Sequence, residues 1–209
     1  LALSNARAGS INSLDEASLQ AQVCKLKYAI VRDRLLTENV WGFSRRIRTL
    51  SVLTTEIFNW AYAYQYPSDC LKINRLVGAH EELANFDAEV IARLLDSQLL
   101  PLRGTRPQIE YEVFNFSGNK TLGANEANLR IDFTAKVTDP NLFTPDFILA
   151  FSHLLTSEIV IPIVGVKDGR SLRGDSLEIY RAYLNNAIAD DVNEQYQEPA
   201  LSEFETVRR

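Results

Sequence analysis

Residues 59–73 read NWAYAYQYPSDCLKI. Trp60, Tyr62, Tyr64 and Tyr66 fall at every second position, and Pro67 breaks the run before Cys70. A repeat of two is the spacing of one face of a β-strand. Pro67-Ser68-Asp69 is turn chemistry, since proline presets φ while Ser and Asp side chains satisfy nearby backbone groups. The stretch therefore reads as a strand over 60–66 that turns and returns as a second strand over 70–77. The same residues also describe an aromatic platform beside a cysteine nucleophile, so their reading decides the fold and whether the chain is an enzyme.

Upstream, Ser13-Leu14-Asp15-Glu16 has the form of a capping box, and Leu19, Val23, Leu26 and Ile30 follow at helical spacing. This predicts a first helix over about 14–37. Asn39-Val40-Trp41-Gly42 ends it, with Gly42 supplying left-handed geometry. RIRTLSVL, at 46–53, is rich in branched residues and predicts one strand, with a turn over 54–59.

Downstream, Phe86, Val90, Ile91, Leu94 and Leu95 share a helical face, predicting an inserted helix near 83–97, closed by Pro101 and the loop at 103–107. Strands follow at 109–116 and 129–137, separated by a Ser117-Gly118-Asn119 turn and a short strand or loop at 120–125. Thr144-Pro145 is a helix cap with proline in the first turn, and Phe147, Ile148, Phe151, Leu154, Leu155 and Ile159 form a wide apolar stripe that ends near Pro162. A last helix begins between Asp168 and Asp175 and runs to about Gln195, burying Leu177, Tyr180, Leu184 and Ile188. The order is helix, strands, two helices. It predicts an α+β fold, in which 1–45 and 138–198 form a discontinuous helical bundle, 46–137 a projecting antiparallel β subdomain, and 199–209 a polar, acidic tail.

The 209 residues are 46% apolar, enough for a proper core. The most apolar run, Ile159–Val166, is short and contains Pro162, so no membrane span or membrane partner is expected. LALSNARAGS lacks the features of a secretory leader, and the expectation is a reducing compartment with Cys24 and Cys70 as thiols. A net charge of -5 argues against affinity built on neutralising phosphates. The charge is uneven. From Lys25 to Arg48 there are seven basic residues against Asp33 and Glu38, whereas from Asp175 to Glu205 there are eight acidic residues against Arg181. Both stretches can be solvated helix faces, or they can be complementary surfaces that register an assembly.

Chemistry has few candidates. A catalytic Cys70 needs a base, and the chain offers His80 and His153 without a motif linking either to it. Metal-ligand spacings of the C-x-x-C, H-E-x-x-H or EF-hand kind do not occur, nor do the glycine orders of nucleotide sites, so no metal or cofactor is expected. Arg45-Arg46-Ile47-Arg48, next to Trp41 and Phe43, interleaves basic and aromatic residues and suits a phosphate backbone or an acidic surface.

Three segments together resemble a family: YAIVRDRLL at 28–36 followed by Trp41-Gly42-Phe43, WAYAYQYPSDCLKI at 60–73, and DFTAKVTDPNLFTPDF at 132–147. In this order they are similar to the tail tubular protein A family of short-tailed bacteriophages, adaptors of the head-to-tail connector. The likeness runs from Leu14 to about Gln197, with 80–107 as an unmatched enlarged insertion. It implies a structural virion protein, made in the host cytoplasm, of which about twelve copies form a ring below the portal protein. The ring binds the tail nozzle protein, with tail fibres as further neighbours, and double-stranded DNA passes through its channel without specific binding. The helical part typically engages the portal and neighbouring copies, and the family carries no catalytic residues. In this light Arg32, Arg34, Arg45, Arg46 and Arg48 are candidate subunit or portal contacts, and Trp60, Tyr62, Tyr64 and Tyr66 candidate β packing or interface residues. Two other classes stay open: a hydrolase using Cys70 with His80 or His153, and a DNA-binding module using Arg45, Arg46 and Arg48.

Overall fold

The computed structural model describes residues 1–54, 59–78 and 109–194. The inserted helix near 83–97, His80, the loop at 103–107 and the tail at 199–209 lie outside the described residues. Within them the order is α1 (Ala2–Asn5), α2 (Leu19–Glu38), β1 (Arg45–Thr49), β2 (Val52–Leu53), β3 (Tyr62–Gln65), β4 (Cys70–Val77), β5 (Tyr111–Phe116), β6 (Asn119–Ala124), β7 (Arg130–Ala135), α3 (Pro145–Val164) and α4 (Val166–Glu194). The chain is α+β, with helices from both ends and an antiparallel β portion in the middle. It divides into two compact units. One holds Leu1–Leu35, Trp41–Phe43 and the described residues from Asp139 on; the other holds Leu36–Val40 and Ser44–Thr138.

In the helical unit, α2 begins later than the capping box suggests. Ser13 Oγ accepts from the Asp15 N–H within a local turn, and Ser18 is the working N-cap: its Oγ accepts from the Ala21 N–H at 3.3 Å and its carbonyl from the Gln22 N–H. The face that α2 buries is set by a different series of residues from the one that marks the helix in the sequence. Ala21, Cys24, Val31, Arg32 and Leu35 are buried, and Tyr28 meets Phe151 edge to face at 5.1 Å. Leu19, Leu26 and Ile30 lie on the opposite side and are exposed. Both sets repeat at helical spacing, so periodicity alone cannot choose between them.

Gly42 is not in left-handed geometry, which among the described glycines belongs to Gly9, Gly118 and Gly165. Its role is close approach: the Gly42 N–H donates to Asp191 Oδ1 at 2.7 Å, and an added Cβ would crowd that oxygen. Trp41 is fully buried, donates from Nε1 to the Leu35 carbonyl at 3.0 Å, and joins Phe43, Phe143 and Phe147 in an aromatic cluster. These contacts end the first helix in place of a glycine cap.

Helix α3 ends near Pro162, as expected: that proline lies in its last turn, the helix closes at Val164, and Gly165 (φ 99) turns the chain into α4, which starts at Val166, earlier than the expected 168–175. Gly169 then lets α4 lie against the Ile161 backbone, where a Cβ would sit 3.2 Å from Ile161 Cα. The two helices form a close hairpin. By length and composition α3 could cross a bilayer, a point the short run at 159–166 concealed, but more than half of that window is buried inside the protein. Ten of its residues, from Phe147 to Val160, are buried, which accounts for its apolarity as a core helix.

The β unit contains two antiparallel sheets, a three-stranded one in the order β1-β7-β4 and a four-stranded one in the order β2-β3-β6-β5. The single strand expected over 46–53 is split between them. Leu50, buried with its N–H bonded to the Leu129 carbonyl at 2.9 Å, marks the crossing from β1 to β2. The expected return at Pro67-Ser68-Asp69 behaves likewise: β3 pairs with β2 and β6, while β4 pairs with β7. Those residues connect two sheets; they do not close a hairpin. The true hairpin joins β5 to β6 through Ser117 (φ 51) and Gly118 (φ 83), both left-handed as a two-residue turn requires. Strand β6, expected only as a short strand or loop, is central in its sheet. Tyr64 and Leu122 from one sheet, with Leu76, Ile131 and Phe133 from the other, make the shared core.

Candidate functional site

The candidate arginines of the β unit lie on β1, whose register with β7 sets Arg45 opposite Thr134, Arg46 opposite Phe133 and Arg48 opposite Ile131. Opposed residues share a face, so Arg45 is on the side that carries Asp132 and Thr134, and Arg46 and Arg48 are on the side of the core. Asp132 is only 2% exposed. Arg45 clamps it, with Nη2 to Oδ2 at 2.6 Å and Nε to both oxygens at 3.1 Å, while Arg75 Nε and Asn74 Nδ2 donate at 3.3 Å. Thr134 Oγ1 extends the network to Asn74 Oδ1. Burial pushes the Asp132 carboxyl up, but the donors Arg45, Asn74 and Arg75 together outweigh it and hold the group below its ordinary value. The same bond raises Arg45, against its own partial burial.

Arg48 forms two 3.1 Å bonds to Asp69 and places its guanidinium over the Phe133 ring at 5.5 Å. Arg46 is exposed and donates to the Arg45 carbonyl at 3.0 Å. On α2, Arg32 is buried and donates from Nε and Nη2 to Asp33 Oδ1 at 2.8 and 2.7 Å, whereas Arg34 is exposed. The five arginines therefore occupy different settings. Arg45 and Arg48 are tied to carboxylates, which the sequence could not foresee because Asp132 and Asp69 are distant in the chain.

The aromatic candidates also divide. Tyr64 is buried in the β core, donating its hydroxyl to the Glu126 carbonyl at 2.6 Å, and Tyr62, two residues before it, is exposed. Trp60 precedes the strand and does not follow its alternation. It lies across Gly123, where a Cβ would meet its ring at 2.6 Å, and donates from Nε1 to Glu112 at 3.1 Å. Tyr66 packs under the Lys120 ammonium, 4.1 Å from the ring centre, and burial raises its hydroxyl. Packing uses most of this stretch.

Burial likewise raises the Cys70 thiol, more than its bond with Tyr66 and the nearby Lys120 lower it, so the sulfur stays protonated. Cys70 is in the β unit and His153 in the helical unit, stacked on Tyr183 at 5.7 Å, its pKa lowered by burial and its buried Nδ1 without a hydrogen-bond partner among the described residues. Among the described residues no group of three or more His, Cys, Asp or Glu side chains gathers as metal ligands would. Two features were missed from sequence: the buried Asp132, inside an apolar strand where alternation gave it no special status, and the outward stripe of α2. No protein-family model matches the chain, and no curated protein matches it.

Proposed function

We propose that the chain is a structural subunit of a short-tailed phage virion, an adaptor that forms a ring of about twelve copies between the portal protein and the tail nozzle and lines the DNA path. The observation that carries this reading is the combination of a helical unit drawn from both chain ends with an antiparallel β unit from the middle, the organisation implied by the resemblance of 28–43, 60–73 and 132–147 to tail tubular protein A. In the finer form of the proposal, 1–45 and 138–198 build a helical bundle from which 46–137 projects, and 80–107 is an insertion. The settings of Cys70 and Arg45 support an assembly role over the alternatives. A thiol kept protonated is a poor nucleophile, and arginines engaged by carboxylates have less to offer a phosphate backbone. DNA then slides through a conduit of acidic chains.

Native mass measurement and electron microscopy of the protein, with and without a portal protein, test the proposal. The expected result is a closed ring of about twelve copies; small species under every condition would overturn it.

A further inference from the structure

The two antiparallel sheets have four edge strands among the described residues, β1 and β4 in one and β2 and β5 in the other, and three of them are closed to further pairing. Strand β2 is two residues long. Strand β4 is interrupted by register shifts between Cys70 and Lys72 and between Ile73 and Arg75, which break the even spacing that an added strand needs. On β1 the Ala135 N–H donates to the Ser44 carbonyl and the Leu50 N–H to the Leu129 carbonyl, so by alternation the backbone of Arg45, Ile47 and Thr49 faces outward. Arg46 Nη1 occupies the Arg45 carbonyl there at 3.0 Å, and the three arginines of the strand charge that edge.

Strand β5 has none of these guards. Its six residues, YEVFNF, pair with β6 in unbroken register from Tyr111 and Ala124 to Phe116 and Asn119, and contain neither proline nor lysine. The two-residue turn at Ser117-Gly118 makes Phe116 and Asn119 a hydrogen-bonded pair, so Phe116, Phe114 and Glu112 spend their backbone groups on β6. Tyr111, Val113 and Asn115 therefore turn their N–H and C=O groups to the free edge, at intervals of about 7 Å. Among the described residues nothing bonds to those groups. Val113 packs toward the core on one side of the strand; on the other are Phe114, the exposed Phe116, and Glu112, which accepts from Trp60 Nε1.

We infer that β5 receives an extended segment of a partner protein as a fifth strand of its sheet, antiparallel like every described ladder, with aliphatic residues abreast of Phe114 and Phe116 and a basic residue abreast of Glu112. The free N–H and C=O groups call for a backbone in the extended form, and the side chains beside them select its sequence. A second copy does not supply that strand from its described residues. Its other three edges are closed, and β5 laid against β5 about Val113 would set the two Glu112 carboxylates diagonal to each other. The inference goes beyond the adaptor reading and stands without it, because it rests on the edge and not on ring formation.

The test uses the full chain and a fluorescein-labelled, amidated peptide, Val-Thr-Val-Val-Lys-Thr, whose residues would lie opposite Phe116 back to Tyr111. The expected results are saturable binding by anisotropy and slowed amide exchange at Tyr111, Val113 and Asn115. Methylating the second, fourth and sixth amides of the peptide, which would face β5, should weaken binding about tenfold or more, whereas methylating the first, third and fifth should change it by no more than about twofold. Exchanging the peptide's lysine for glutamate should weaken binding about two- to fivefold. Asn115→Pro, which removes an outward N–H and none of the bonds to β6, should weaken it as the first methylated series does. No saturation up to millimolar peptide, or equal affinity for the two methylated series, would overturn the proposal. Release of bound peptide on raising the concentration of the protein itself would overturn it in favour of a second copy. Whether rings form is measured separately, and a failure there removes the adaptor reading without touching this one.

Discussion

On the three-stranded sheet a carboxylate, Asp132, is buried beneath Arg45 and Arg75; on α2, Leu26 and Ile30 stand in water. The two surfaces depart from the usual partition of charge and apolar side chains in opposite directions. Around Asp132 the departure is resolved within one chain, because two guanidinium groups and an amide meet the buried charge. Along α2, among the described residues, nothing covers Leu26 and Ile30 to an equal degree. A buried charge with its partners is accounted for by the fold; an apolar stripe left in water is not.

A large expected effect breaks the first half of this contrast. Asp132→Ala leaves two arginines without their shared acceptor, and should cost about 3 kcal/mol in urea unfolding, below the extreme for buried pairs because Arg45 and Arg75 reach water. Replacing the pair together, Arg45→Met with Asp132→Leu, should cost less than Asp132→Ala alone. The same residue carries a pH dependence. Its folded pKa is depressed, so its stabilisation is present above the unfolded value of about 4 and is lost as pH falls through the folded one. Unfolding midpoints followed downward from about pH 5 should decline less steeply in Asp132→Asn.

Next in size is Gly123→Val. The new side chain would occupy space held by the Trp60 ring, at a cost of about 1–3 kcal/mol and with a change in Trp60 emission. Trp41 lies in the helical unit and should report no change, which makes the replacement of Trp41 by Phe a useful background. A stability unaffected by Gly123→Val would mean that Trp60 is not packed on β6.

Smaller still is the effect of His153. Burial lowers its folded pKa, so the native state disfavours the imidazolium, and stability is full above the unfolded value near 6.5 and falls as pH drops through it. His153→Gln should flatten the stability profile just below about pH 6.5. A slope unchanged in that window would sink the assignment.

How far the sequence leads depends on whether a feature is local. The strands at 60–66 and 70–77 were legible from alternation and turn residues, and so was the Ser117-Gly118 turn. Their pairing was not, because strand partners are chosen by distant residues: Leu50 and Pro67-Ser68-Asp69 send consecutive segments into different sheets. The start of α4 was placed too late because Gly165 and Gly169 read as a connection by local rule, whereas the helix begins at Val166 and Gly169 packs on Ile161. At the candidate site, the arginines were visible but Asp132 and Asp69, which hold two of them, were not. For α2 the difficulty was excess of signal. Two apolar stripes fit the helical period, and only tertiary packing tells which is the core.

That ambiguity gives the smallest expected effect on folding. Leu35→Ala, on the buried side of α2, should destabilise the chain by about 2–5 kcal/mol through loss of packing. Leu26→Ser, on the other side, should change the unfolding free energy of dilute protein by no more than about 0.5 kcal/mol, because little of Leu26 leaves water on folding. Urea unfolding of the two variants in dilute solution checks the pair. A Leu26→Ser cost comparable to that of Leu35→Ala would place the stripe in the core after all.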